Sequence, residues 1–235
     1  MKKIVGFGDS WMWGDELIDP ALSSLPDVHP VMHQNTDYRE QNCFLGLLGK
    51  HYNLPTENFG IPGGSLLSTM WCYLWWLEHG QDHKNSIVVV ALTGSSRTSW
   101  YNPKHTLYSN DRPWNRFVHS TWLQASGARN YWGDLSRLYT TLTDCEQLSQ
   151  LNYQQAVYFF QGQKHRHPVY MLSTAEPPCQ LDIPEMVLPQ STNAWLRNQA
   201  RSRPEPLFKP KNHPNELGHE IIRDLLINHI DHAIM

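Results

Sequence analysis

The stretch Ser86-Ile87-Val88-Val89-Val90-Ala91-Leu92 decides how this chain reads. It is unbroken, apolar and rich in β-branched residues, with no polar residue alternating through it. That is the pattern of a strand buried on both faces, at the centre of a parallel sheet. Its apolar part, Ile87 to Leu92, is too short to cross a bilayer. It stops abruptly at Thr93-Gly94-Ser95-Ser96-Arg97, a polar, glycine-containing turn.

Working outward, strands and helices alternate. Lys3-Ile4-Val5-Gly6-Phe7-Gly8 reads as a short buried strand ending at a glycine turn. The spacing of Phe44, Leu47 and Leu48 predicts a helix over 41–51. Glu57-Asn58-Phe59-Gly60 reads as a second strand, running into the turn Ile61-Pro62-Gly63-Gly64-Ser65. A helix over 66–78 follows, apolar nearly all round and therefore buried or at an interface. Beyond the central strand, 98–133 is polar and aromatic. Helical periodicity extends over about 135–163, and Pro168-Val169-Tyr170-Met171-Leu172-Ser173 is the next strand. The region 176–210 is Pro-rich and reads as extended loop. Apolar residues at 217, 221, 222, 225, 226 and 230 predict a closing helix. This alternation implies an α/β class fold, a three-layer α/β/α sandwich with a mainly parallel sheet. No repeat or linker divides the chain, so 1–235 reads as a single domain with an aromatic-rich insertion at about 98–133.

The chain has 235 residues, 17% of them charged, and a net charge of -3, which leaves no basic footprint for nucleic acid. No membrane-spanning segment is expected, and Met1-Lys2-Lys3-Ile4 enters a strand without a signal-peptide core. Folding in a cytoplasm is the expectation. Cys43, Cys72, Cys145 and Cys179 are scattered and form no CxxC pair, which favours free thiols over a disulfide or zinc site. His29/His33 and His165/His167 lack a completing cluster and read as solvated loop residues; no metal and no organic cofactor is expected. Ten Trp and ten Tyr are available for core packing or for stacking on sugars.

Two segments at opposite ends carry the chemistry. Gly8-Asp9-Ser10 follows the first strand, and His213-Pro214-Asn215-Glu216-Leu217-Gly218-His219 precedes the last helix. Ligands bind beyond the carboxyl ends of strands in open α/β sheets, so Ser10 and His213 can meet at one edge. A serine needs a base to act as a nucleophile, and histidine is the usual one. Glycines gathered at the candidate strand ends can bring backbone N–H groups to an oxyanion. His219, on the first turn of that helix, is expected to pack or hydrogen-bond.

This pattern resembles the SGNH (GDSL-like) hydrolases, which are flavodoxin-like α/β/α enzymes, mostly esterases and deacetylases. The resemblance rests on three blocks in order: Gly8-Asp9-Ser10, Asn58 to Ser65, and His213-Pro214 through Gly218-His219. It implies that Ser10 is the nucleophile and His213 the base. It also implies that the N–H groups of Ser10 and Gly63 form an oxyanion hole. The family's third block normally ends the central strand with an oxyanion-binding Asn; here Ser95 holds that place, with Arg97 beside it. The family also places an Asp three residues before the histidine, where this chain has Pro210.

Three readings of Pro210 stay open. His213 works as a dyad with Ser10, its ring held by a backbone carbonyl, which is the favoured reading. Alternatively, a carboxylate from the Pro-rich loop substitutes (Glu176, Asp182 or Glu205), or the site is degenerate. Arg97 reads either as holding a polar or anionic part of a substrate or as pairing with a scaffold carboxylate. Trp100, with Trp114, Trp122 and Trp132, either stacks on a sugar or packs the insertion's own core.

The implied function is hydrolysis of a small ester or an acylated glycan, such as removal of an acetyl group from a carbohydrate. No nucleic acid or membrane takes part. The competing class is a non-catalytic module that keeps the fold for structure or glycan binding. A weaker resemblance to bacteriophage-encoded members places such a module in a virion, among other protein subunits.

Overall fold

The computed structural model describes residues 2–22, 36–79, 83–95, 97–101, 117–120 and 145–234. Four parallel strands form the main sheet: β1 (Lys3–Gly8), β2 (Thr56–Gly60), β3 (Ser86–Leu92) and β6 (Val169–Ser173), in the order β2-β1-β3-β6. Beyond β6, residues 185–187 add a parallel bridge, with Met171 N–H donating to Glu185 O and Val187 N–H to Met171 O. That order is the flavodoxin-like one. A separate antiparallel pair, β4 (Thr98–Tyr101) and β5 (Phe117–Ser120), lies within the aromatic stretch, where no strand was expected.

Every residue of β3 is buried. Its alternate side chains feed two cores, one on each face of the sheet. Ile87, Val89 and Ala91, with Ile4, Tyr170 and Leu172, pack against helices α3 (Phe44–Tyr52), α6 (Thr192–Arg201) and α7 (Glu216–Ile234). Val88, Val90 and Leu92, with Val5, Phe7 and Met171, pack against α4 (Leu66–His79) and α5 (Cys145–Gln161). A short α1 (Ser10–Trp13) leaves the end of β1, and α2 (Thr36–Asn42) leads into α3. Helices cover both faces, so the α/β/α sandwich with a parallel sheet is the observed architecture. Among the described residues no helix is long and apolar enough to cross a membrane.

Two expectations need correction. The region 176–210 is not all loop: Ser191 accepts from the Ala194 N–H and starts the ten-residue α6, whose Leu196 is fully buried. His167 is not solvated. It is 3% exposed and its Nε2 bonds the Tyr73 hydroxyl at 2.8 Å, while burial pulls its pKa down to about 4. His29, His33, Trp114, Trp122, Trp132 and the start of the helix expected from 135 lie outside the described residues, as do the side chains of Trp100 and Cys145.

The topology fixes where a site can form. β1 lies between β2 and β3, so the chain leaves it in one direction and returns on its other side. The crevice at such a switch point opens beyond the carboxyl end of β1. Ser10 is the first helical residue there.

Candidate active site

Asp9 builds the turn that presents Ser10. Its backbone is extended, and its Oδ1 accepts the Trp11 N–H at 3.0 Å, capping α1. The other oxygen, Oδ2, takes the Thr174 hydroxyl at 2.9 Å and Arg97 Nη1 at 3.4 Å. Asp9 is therefore a buried anchor, 2% exposed, that ties the serine turn to the ends of β3 and β6. On the other side, Asn58 Nδ2 donates to Met12 O at 2.8 Å and fastens α1 to β2.

The last helix brings in the histidine. Phe208 and Pro214 form an antiparallel bridge, and between them Asn212 N–H donates to Lys209 O, closing a tight turn. Pro210 is the second residue of that turn, a position its fixed φ suits. Asn212 is in the left-handed region at φ 67°. Asn215 Oδ1 accepts the Gly218 N–H and caps α7. His213 sits between this turn and this cap, with its Nε2 3.0 Å from Ser10 Oγ.

The orienting group is neither a backbone carbonyl nor a carboxylate from 175–208. It is Glu16, whose Oε2 lies 2.9 Å from His213 Nδ1. The same carboxylate takes the Lys211 N–H at 3.2–3.3 Å, so it holds the loop as well as the ring. The local fold explains how a residue so near Ser10 reaches the far side of the imidazole. α1 lasts one turn and ends at Gly14, φ 76°; Glu16 follows in the left-handed region at φ 64°. The chain thus curls back over Ser10 and points the carboxylate at the histidine loop. A non-glycine residue at such a φ is costly and collects at functional sites.

Of the loop carboxylates, Glu176 accepts the Ser191 hydroxyl at 2.9 Å, and Asp182 and Glu205 are exposed. With a carboxylate on Nδ1, the neutral ring carries its proton there, and the Nε2 lone pair faces the serine hydroxyl.

Gly63 adopts φ 73° in a turn closed by Gly64 N–H donating to Ile61 O at 2.8 Å. Pro62 and Gly63 are the residues a type II turn asks for at its two central positions. Neither the Ser10 nor the Gly63 N–H has an acceptor among the described residues. Ser95 is 6% exposed, and its hydroxyl pairs with that of Ser149 on α5.

Arg97 Nη1 reaches Asp9 and, at 3.4 Å, Gly64 O, so it joins the serine turn to the glycine turn. Its charge is paired with a buried scaffold carboxylate. His219 is fully buried, stacks on Phe44, and accepts the Phe44 N–H on Nδ1 at 3.2 Å. Burial is the main cause that brings its pKa down to about 3. Among the described residues no group of three His, Cys, Asp or Glu side chains is placed to hold a metal ion.

The sequence matches no protein-family model and no curated protein. Solved structures do align with it over nearly all its length. A member of the lipolytic protein G-D-S-L family from Veillonella parvula shares 11% identity, with 97% of each chain covered and a TM-score of 0.49. A putative lipolytic protein of the G-D-S-L family from Desulfitobacterium hafniense shares 12% identity, covering 97% of this chain and 99% of that one, with a TM-score of 0.43. LAE5, an alpha/beta hydrolase enzyme from the metagenome of Lake Arreo, Spain, shares 15% identity over 97% of this chain and 94% of its own, with a TM-score of 0.50. At such identities the likeness is one of fold: LAE5 and this chain share the α/β layering.

Proposed function

We propose that the chain is a serine ester hydrolase of the SGNH type, acting through an acyl-enzyme. The observation that carries this reading is the relay Ser10 Oγ, His213 Nε2, His213 Nδ1, Glu16 Oε2, with contacts of 3.0 and 2.9 Å. His213 takes the Ser10 proton as Oγ attacks the acyl carbonyl. Glu16 stabilises the imidazolium that forms and keeps the ring in the productive tautomer. The carbonyl oxygen becomes an oxyanion and is met by the N–H groups of Ser10 and Gly63. A Ser95 hydroxyl joins them if Ser149 is the donor in their pair, which leaves the Ser95 O–H to give. The imidazolium Nε2–H then passes its proton to the leaving alcohol, the C–O bond breaks, and Ser10 remains acylated. Water, deprotonated by His213, attacks the acyl carbonyl and releases the acid.

The substrate proposed is a small ester or an acylated glycan, with acetyl as the acyl group. A relay complete to its third member speaks against a degenerate, purely structural module. The test is a fluorophosphonate probe, which phosphonylates an activated serine only. Expected is labelling at Ser10 that disappears in Ser10→Ala and in His213→Ala. An unlabelled parent that binds an acylated glycan stoichiometrically would point to the module instead.

A further inference from the structure

A second carboxylate lies beside the reactive pair and has no part in the relay. Asp15 Oδ2 is 3.7 Å from His213 Nε2, the nitrogen that faces Ser10. Its position is fixed from both ends. The Asp15 N–H donates to Ser10 O at 2.9 Å, and its Oδ1 accepts the Glu16 N–H at 3.0 Å. The side chain is 34% exposed, against 18% for His213.

Among the described residues, the one ion pair of Asp15 is with the histidine itself. Arg97 is committed to Asp9, Lys209 to Glu216 at 2.9 Å, and Arg39 Nη1 donates to Trp13 O beneath the turn. Among the described residues, a carboxylate without a Lys or Arg partner therefore stands beside Nε2.

Its side of the pair matters. Nε2 delivers its proton to the leaving alcohol oxygen, so groups flanking Nε2 face the alcohol part of the ester, not the acyl part. Resting on the esterase reading, we infer that Asp15 is a specificity residue that selects esters carrying a cationic group on the alcohol, a few bonds from the ester oxygen. An ammonium two carbons from that oxygen falls within a few ångströms of Oδ2. An anionic alcohol part meets like charge there and is rejected. This selectivity is opposite to the one Arg97 would confer if it held an anionic part of the substrate.

The experiment compares kcat/KM for acetylcholine, its neutral isostere 3,3-dimethylbutyl acetate, and the anionic 3-acetoxypropionate, in the parent and in Asp15→Asn. The asparagine keeps an Oδ1 for the Glu16 N–H. Expected in the parent is a preference of about five- to tenfold for the cation over the isostere, as for a partly screened ion pair. The preference shrinks as salt rises. In Asp15→Asn the cation-to-isostere ratio falls to about one, and the anionic ester gains relative to the neutral one. Turnover of the neutral ester with no charge preference, or a preference that survives Asp15→Asn, overturns this inference and leaves the esterase intact. Absence of both turnover and fluorophosphonate labelling in the parent overturns both.

Discussion

If Glu16 is the third member of the relay, Glu16→Gln keeps the side chain's length and removes its charge. The carboxylate sits 2.9 Å from Nδ1. A full positive charge on the ring at that separation gains about 6 kcal/mol at an effective dielectric near 20. Both side chains are partly exposed, 15% for Glu16 and 18% for His213, so solvent screens part of this. A working value of about 3–4 kcal/mol remains, and each 1.4 kcal/mol is about tenfold in rate. The acylation rate should fall about 10²–10³-fold, with KM little changed, because the charge on the ring exists only once the proton has moved. If the Gln amide donates to Nδ1, the ring proton is forced onto Nε2, Ser10 loses its acceptor, and the loss deepens.

The assay is the burst of p-nitrophenol from p-nitrophenyl acetate, read beside fluorophosphonate labelling. Glu16→Gly separates chemistry from scaffold. It removes the carboxylate but relieves the left-handed strain at φ 64°, and such relief is worth about 1 kcal/mol. Its melting temperature should stay near the parent's while acylation fails. A Glu16→Gln enzyme within about threefold of the parent, alongside an inert Ser10→Ala, would refute the relay and restore the Ser–His dyad.

Two further outcomes follow from the scaffold around the site. Arg97→Ala leaves the buried Asp9 carboxylate short of its cation, so stability should drop by about 1–3 kcal/mol, with neutral and anionic esters losing rate equally; an unchanged melting point with a loss on the anionic ester alone would return Arg97 to substrate binding. His219 and His167 are held neutral in the fold, with pKa values near 3 and 4 against an ordinary 6.5. The unfolded chain therefore binds protons that the folded one refuses as pH falls below 6.5. Their stability contribution is complete above that pH and declines by about 1.4 kcal/mol per unit per histidine down to about pH 4, with His219 continuing to about pH 3. Urea titrations at pH 7 and pH 5 should differ by about 3–4 kcal/mol from these two groups, and by about 2 kcal/mol less in His219→Gln; an unaltered pH dependence in that variant would show that His219 is not the neutral, buried acceptor of the Phe44 N–H.

What the sequence could and could not say divides along the length scale of the signal. β1, β3 and β6 fall within a residue of their expected limits, because strands buried on both faces leave continuous apolar runs. For the same reason the runs could not tell which side chain faces which helix layer; Ile4 and Ile87 share one core and Val5 and Val88 the other. α6 was missed because Leu196 is its sole fully buried apolar side chain, too little to make a period between prolines. Ser10, Gly63 and His213 were legible because each sits in a turn with a distinctive composition. Glu16 was not, because its placement depends on two left-handed residues, Gly14 and Glu16 itself, which turn the chain back over Ser10.

The available signal was Gly14-Asp15-Glu16, two acids behind a glycine one helical turn after the serine. Pro210 then has a physical account. A carboxylate at that position would have to compete with Glu16 for Nδ1, whereas a proline stiffens the turn that delivers His213. The carboxylate on Nδ1 comes from the serine's own loop, and the His213 loop is left to hold the ring still.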